Sequence, residues 1–151
     1  MVKSKQEITI EFTREILKVN LVFKQFIQYK FRQHNIDLTF EMLQVLACLW
    51  ETDGRNQQEI ANATVKDKAS MTYLIDNLTT RNMVYRQEDT RDRRNKLIFL
   101  TPTANDLRQQ IQPWVAEMYE AASIDISADK IQELVTVLWK IRDNMRQYNS
   151  E

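Results

Sequence analysis

Residues 64–100 read TVKDKASMTYLIDNLTTRNMVYRQEDTRDRRNKLIFL, and the spacing of apolar residues changes character once inside that stretch. Between Lys68 and Arg81, Met71, Leu74, Ile75 and Leu78 recur at helical spacing, which predicts a helix with one apolar side. Beyond it, Met83-Val84-Tyr85-Arg86 and Leu97-Ile98-Phe99-Leu100 are apolar-rich runs of strand length. Residues 87–96 between them are polar and charged. Two strands around such a tip predict a β-hairpin, although the tip lacks a two-residue turn signal.

Upstream, Asn56 to Ala63 predicts a short helix with Ile60 and Ala61 as its apolar side. The connector Thr64-Val65-Lys66-Asp67 joins it tightly to the next helix, giving the proportions of a helix-turn-helix. Followed by the hairpin, this is a winged helix. Asp53-Gly54 holds the only glycine and marks a turn. Before it, Thr39 can cap a helix that carries Leu43, Leu46 and Trp50 on one stripe. A long first helix, from about Ile8 to about Arg32, follows from Ile8, Phe12, Ile16, Val19, Phe23, Phe26 and Lys30. Downstream, Thr101-Pro102 opens a helix on the period Leu107, Ile111, Trp114, Met118, Ala122, in which Pro113 should cause a kink or a split. The last helix begins near Ser127, and Ile131, Leu134, Leu138, Ile141 and Met145 form a heptad seam. The expected fold class is mainly α with a small β-hairpin wing.

Composition narrows the function. Glycine and proline together number 3 in 151 residues, far below the roughly 12% of average usage, which disfavours sandwiches, barrels and glycine-rich nucleotide loops. One cysteine, Cys48, rules out an intrachain disulfide framework and a thiolate zinc site, and one histidine, His34, rules out a histidine-rich metal centre. No apolar run is long enough to span a membrane, and the N-terminus lacks the apolar stretch of a signal peptide, so a cytoplasmic, reducing setting is expected. No cofactor and no catalytic constellation is expected. The net charge is zero, from 21 basic and 21 acidic residues, yet residues 81–96 hold six basic groups against three acidic ones. A local positive patch sits on a neutral chain.

The chain resembles the MarR family of bacterial winged-helix transcription regulators. Three pieces carry the resemblance: Leu38-Thr39 with Leu43 and Leu46; Asp67-Lys68-Ala69-Ser70-Met71-Thr72 continuing through Asp76-Asn77-Leu78 to Arg86; and the wing signature Asp89-Thr90-Arg91-Asp92-Arg93-Arg94 ending in Leu100-Thr101. Asn82 and Ala104 stand where the family usually has glycine, and asparagine suits a left-handed backbone next best. Tyr73 stands where the family often has arginine, which removes bidentate reading of guanine.

The resemblance implies a single domain over residues 1–151, with a DNA-binding lobe at about 38–101 and dimerisation helices at about 1–34 and 102–151. Lys66 and Lys68 would meet phosphates, while Ser70, Thr72 and Tyr73 would reach base edges in a major groove of double-stranded DNA. Without the resemblance, the same residues read as a solvated helix face. Arg91, Arg93 and Arg94 would supply one or two minor-groove contacts, with Asp89 and Asp92 pairing with them to fix the tip; otherwise this is an ordinary charged hairpin. The apolar stripes of the first and last helices favour a homodimer over internal packing. A small aromatic or phenolic effector is implied between lobe and dimerisation helices, with Phe23, Phe26, Trp50 and Trp114 as lining candidates, although apolar core reads the same way. Two other readings stand beside the ligand-responsive repressor: a winged-helix protein-interaction module without DNA binding, and a redox sensor through Cys48. Cys48 also reads as a structural cysteine, and His34 as a helix-end residue facing free carbonyls.

Overall fold

The computed structural model describes residues 1–150. Along the chain lie α1 (Lys5–Gln33), α2 (Phe40–Glu51), β1 (Arg55–Asn56), α3 (Gln57–Thr64), α4 (Lys68–Thr80), β2 (Val84–Glu88), β3 (Lys96–Leu100), α5 (Pro102–Ala122) and α6 (Ala128–Asn149). This is the mainly helical winged helix-turn-helix that the sequence predicts.

Short polar residues decide where the helices start, because their side chains accept first-turn amides that have no partner inside the helix. Thr39 accepts from Met42, Asn56 from Glu59, Asp67 from Ser70, Thr101 from Ala104 and Ser127 from Lys130, at 2.7–3.2 Å. Helix α1 begins ahead of the first periodic residue, Ile8, because Ser4 and Glu7 form a reciprocal capping box.

The expected two-stranded hairpin has a third strand. β1 pairs antiparallel with β3, Arg55 opposite Ile98 and Asn56 opposite Leu97, which puts β3 in the middle. A two-residue strand carries no periodicity, so nothing in the sequence marks it. β2 and β3 pair from Val84–Leu100 to Glu88–Lys96, leaving residues 89–95 as the tip. Asn82 adopts φ 56, the left-handed conformation expected of the position.

The core of the lobe draws on α2, α3, α4, β2, β3 and the first turn of α5. Val45, Leu46 and Leu49 meet Ile60 of α3, Met71, Ile75 and Leu78 of α4, Val84 and Ile98 of the sheet, and Ala104 of α5. Each large apolar side chain buried this way contributes about 1.5–3 kcal/mol relative to exposure. Ala104 is fully buried, so the methyl that replaces the family's usual glycine fills core space.

One expectation is narrowed and another gains its geometry. Pro113 does not split its helix, for α5 runs unbroken from Pro102 to Ala122; proline removes one amide, and the remaining ladder carries the helix through. His34 caps α1 through its backbone amide, which donates to the Lys30 carbonyl at 3.1 Å, while its ring lies 4.5 Å from that of Trp114. The chain divides into two compact units, Met1–Val115 and the remainder from Ala116, the division falling just past Pro113. In the first unit, only the C-terminal end of α1 is buried, through Ile27 and Phe31. In the second, no residue of α6 is buried.

Candidate nucleic-acid interface

Helix α4 presents two chemistries on opposite sides. Met71, Leu74, Ile75 and Leu78 are buried, and Lys68, Ser70, Thr72, Tyr73 and Asp76 are exposed. The Asp67 carboxylate accepts the Ser70 amide at 2.7 Å and the Ser70 hydroxyl at 3.1 Å. The backbone bond to Ser70 holds the Asp67 carboxyl below its ordinary value of 3.8, so the cap is charged at neutral pH. The Thr72 hydroxyl donates to the Lys68 carbonyl at 3.0 Å and accepts from Gln57 Nε2 at 2.6 Å.

Two grooves flank this helix. One, of about 420 Å³, runs between the α3–α4 pair and the wing; Gln57, Lys68, Arg86, Arg94, Asn95 and Lys96 are among its lining residues. The other, of about 430 Å³, lies between α4 and the N-terminal end of α2, where Lys66, Ser70 and Tyr73 meet Thr39 and Glu41. The sequence-derived contacts are therefore sorted into two sets: Lys68 and Arg94 share the first groove, and Lys66, Ser70 and Tyr73 the second. Arg91 and Arg93 stand exposed on the tip and line neither groove.

The tip is ordered differently from expectation. Asp89 and Asp92 accept backbone amides, from Arg91 at 2.9 Å and Arg94 at 3.0 Å, and pair with neither guanidinium. These are Asx turns, local bonds that short carboxylates form two residues ahead. Asn95 closes the tip, donating from its amide side chain to Asp89 and accepting the Asp89 amide at its carbonyl. Consequently Arg91, Arg93 and Arg94 at the tip keep their guanidinium groups outside any ion pair among the described residues.

Sequence reasoning assigned no role to Arg86, Lys96 or Gln57. Arg86 and Lys96 belong to the counted basic cluster but sit on strands, and only the register turns them toward the groove. Arg86 also pairs with Asp76 of α4, tying the wing strand to the recognition helix. Gln57 carries no local signal, because its partner Thr72 lies 15 residues away.

Trp50 lines a cleft of about 190 Å³ with Leu43, Ala47, Arg108, Ile111 and Gln112. Its indole Nε1 is buried without a hydrogen-bond partner among the described residues. Trp114 packs on His34, Phe26 lies beneath the Lys30 ammonium, and Phe23 is half-buried in α1. Cys48 is buried, and Arg55 Nη1 donates to its sulfur at 3.2 Å. Burial pushes the thiol upward, with Arg55 opposing, so the reactive thiolate is disfavoured.

A helix-turn-helix with an exposed helix face, flanked by a basic wing, is the winged helix-turn-helix architecture. Residues 38–96 match the family model described as the MarR family, and over that stretch the chain is similar to that family. The HTH-type transcriptional regulator YkoM of Bacillus subtilis (strain 168) is 27% identical over 96 residues, 64% of this chain and 62% of the relative, so the match spans under two thirds of that relative. Among solved structures, S. aureus MepR in its DNA-binding conformation superposes with TM-score 0.78 at 24% identity, covering 89% of this chain and 98% of that one. BpsR of Bordetella bronchiseptica, whose DNA binding is regulated by 6-hydroxynicotinic acid, superposes with TM-score 0.76 at 21% identity, covering 95% and 98%.

Proposed function

We propose that the protein is a cytoplasmic, homodimeric, ligand-responsive repressor that binds a pseudo-palindromic site on double-stranded DNA. The groove that joins Lys68 of α4 to Arg94 and Lys96 of the wing carries this reading, because it links a recognition helix and a wing in one basic surface. α4 enters the major groove, with Tyr73, Ser70 and Thr72 toward the bases and Lys66 and Lys68 toward phosphates. One or two of Arg91, Arg93 and Arg94 serve the adjacent minor groove, where negative potential draws arginine. Among the described residues, no helix is long and apolar enough to cross a membrane.

Residues about 38–101 act as the DNA-binding lobe, and the helices at about 1–34 and 102–151 dimerise. Support comes from exposed apolar residues on each: Ile8, Ile16 and Val19 on α1, and Ile131, Leu134 and Leu138 on α6. A monomer would leave these faces in water. Two recognition helices would then meet half-sites about 10 bp apart.

The effector reading rests on the cleft beside Trp50. Its size suits a single ring, and an orphaned buried N–H costs about 1–3 kcal/mol until an acceptor satisfies it. A small aromatic or phenolic compound with an oxygen acceptor would do so once Trp50 turns its N–H into the cleft, with Arg108 and Gln112 as further polar partners. It represses or releases DNA only through differential affinity for two spacings of the lobes. DNA binding by BpsR, which shares this fold, is regulated by 6-hydroxynicotinic acid.

Selection of genomic fragments on the purified protein, followed by salt titration on the best fragment, tests the reading. A palindrome bound with a steep salt slope is expected, since each phosphate contact releases counterions. Arg91→Ala with Arg94→Ala should weaken binding and flatten that slope. Absence of enrichment at low salt, including after refolding without ligand, would point to a protein-interaction module instead.

A further inference from the structure

We propose that Thr72 reads a thymine through its methyl group, and that Gln57 is the positioning residue that holds it in that orientation; this rests on α4 entering the major groove. Thr72 is exposed on the recognition face, yet its hydroxyl is engaged on both sides. The hydroxyl proton goes to the Lys68 carbonyl at 3.0 Å, and the oxygen accepts from Gln57 Nε2 at 2.6 Å. A hydroxyl has one proton to donate. N7 and O6 of guanine, N7 of adenine and O4 of thymine are all acceptors, so Thr72 has nothing to offer them. What remains is one oxygen lone pair, which can accept only from adenine N6 or cytosine N4, and the γ methyl, which is the one free apolar group. In the major groove an apolar group finds one complement, the C5 methyl of thymine.

The neighbouring hydroxyl is committed in the same way, since Ser70 Oγ donates to Asp67. The two short polar residues of the first turns are thus poor donors to bases for one reason: each gives its one proton to an oxygen at the start of α4. Gln57 differs from Lys68 and Asp67 as a partner because it lies on another helix, α3. Its amide ties the side chain of Thr72 across the helix-turn-helix rather than within α4, which fixes one rotamer of a residue that otherwise divides between two in helices.

The test uses the duplex that the wild-type protein selects from genomic fragments, remade with single thymines replaced by deoxyuridine, which lacks only the C5 methyl. At one position per half-site, the replacement should weaken wild-type binding about fourfold, the worth of one buried methyl group. Thr72→Ser keeps the hydroxyl and should abolish that difference. Thr72→Val keeps a methyl and a single helical rotamer without help, so it should retain the difference. Gln57→Ala should shrink the thymine/deoxyuridine ratio toward one in the wild-type background and leave it unchanged in Thr72→Val. A merely structural loss would lower binding to both duplexes alike. If salt-dependent, sequence-selective binding persists and no thymine position distinguishes wild type from Thr72→Ser, the inference falls and the DNA-binding reading stands. If the wild-type protein selects no duplex, both fall.

Discussion

Asp53 reaches Leu100 across the lobe: its Oδ1 accepts the Leu100 backbone amide at 3.0 Å and the adjoining Gly54 amide at 3.0 Å. One carboxylate oxygen therefore ties the turn after α2 to the end of the central strand, where Leu100 is buried. Asp53→Ala leaves an amide near the core without a partner. It should cost about 1–2 kcal/mol in chemical denaturation, with Asp53→Asn recovering most of it. Full stability in the alanine variant would mean that the turn is held by other contacts.

Gly54 next to it has φ +71, and a Cβ built there would lie 2.7 Å from Cε1 of the Phe99 ring, which stacks on Tyr85. Gly54→Ala meets both a backbone penalty of about 1 kcal/mol and a ring that must shift. A loss of about 2 kcal/mol is expected. Adding Phe99→Leu should return the part due to the ring and leave the part due to the backbone.

Val65 illustrates the opposite case. It caps α3 in the left-handed region, at φ 55 and ψ 50, with its side chain exposed. β-Branched residues are uncommon there, and the exposed side chain recovers little packing in return. Val65→Gly should raise stability by about 1 kcal/mol, or about 2–4 °C in thermal melting. A lower melting temperature would show that the turn depends on the valine side chain.

Asp92 holds the wing tip through an acceptor oxygen while placing negative charge beside three arginines. Asp92→Asn keeps the acceptor for the Arg94 amide and removes the charge. It should tighten binding to random-sequence DNA about twofold to fivefold at low salt, as one repulsion of roughly 0.5–1 kcal/mol disappears. Asp92→Ala loses the Asx turn as well and should gain less. Equal gains from both variants would mean that the turn does not order the tip.

Glu41 of α2 pairs with Lys24 of α1, Nζ to Oε1 at 2.6 Å, with about a third of each side chain exposed. Partial burial raises the carboxyl, but hydrogen bonding to the Lys24 ammonium outweighs it together with the smaller favourable interactions, leaving the group below its ordinary value of 4.5. The folded state thus favours the charged form. Its contribution is present above the unfolded value and is lost as pH falls through the folded one. Glu41→Gln should reduce stability near neutral pH by about 0.5 kcal/mol and flatten the decline below pH 4.5. An unchanged acid limb would show that other carboxylates govern it.

Helix boundaries and the winged-helix lobe were legible in the sequence because they depend on local chemistry. Thr39, Asn56, Asp67, Thr101 and Ser127 cap their own helices, and Met71, Leu74, Ile75 and Leu78 share a side because 3.6 residues make a turn. The basic cluster 81–96 was visible for the same reason, being contiguous. What only the tertiary structure decided depends on partners distant along the chain. β1 exists because β3 offers it a ladder, Arg86 faces α4 because of strand register, and Pro113 is carried by the hydrogen bonds around it. Most consequentially, sequence composition marks Thr72 as a polar reader of bases. Its hydroxyl is withdrawn by Lys68, one turn back, and by Gln57, 15 residues away on another helix. A side chain's donors and acceptors belong to its type, and which of them stay free is settled by where the fold puts its neighbours.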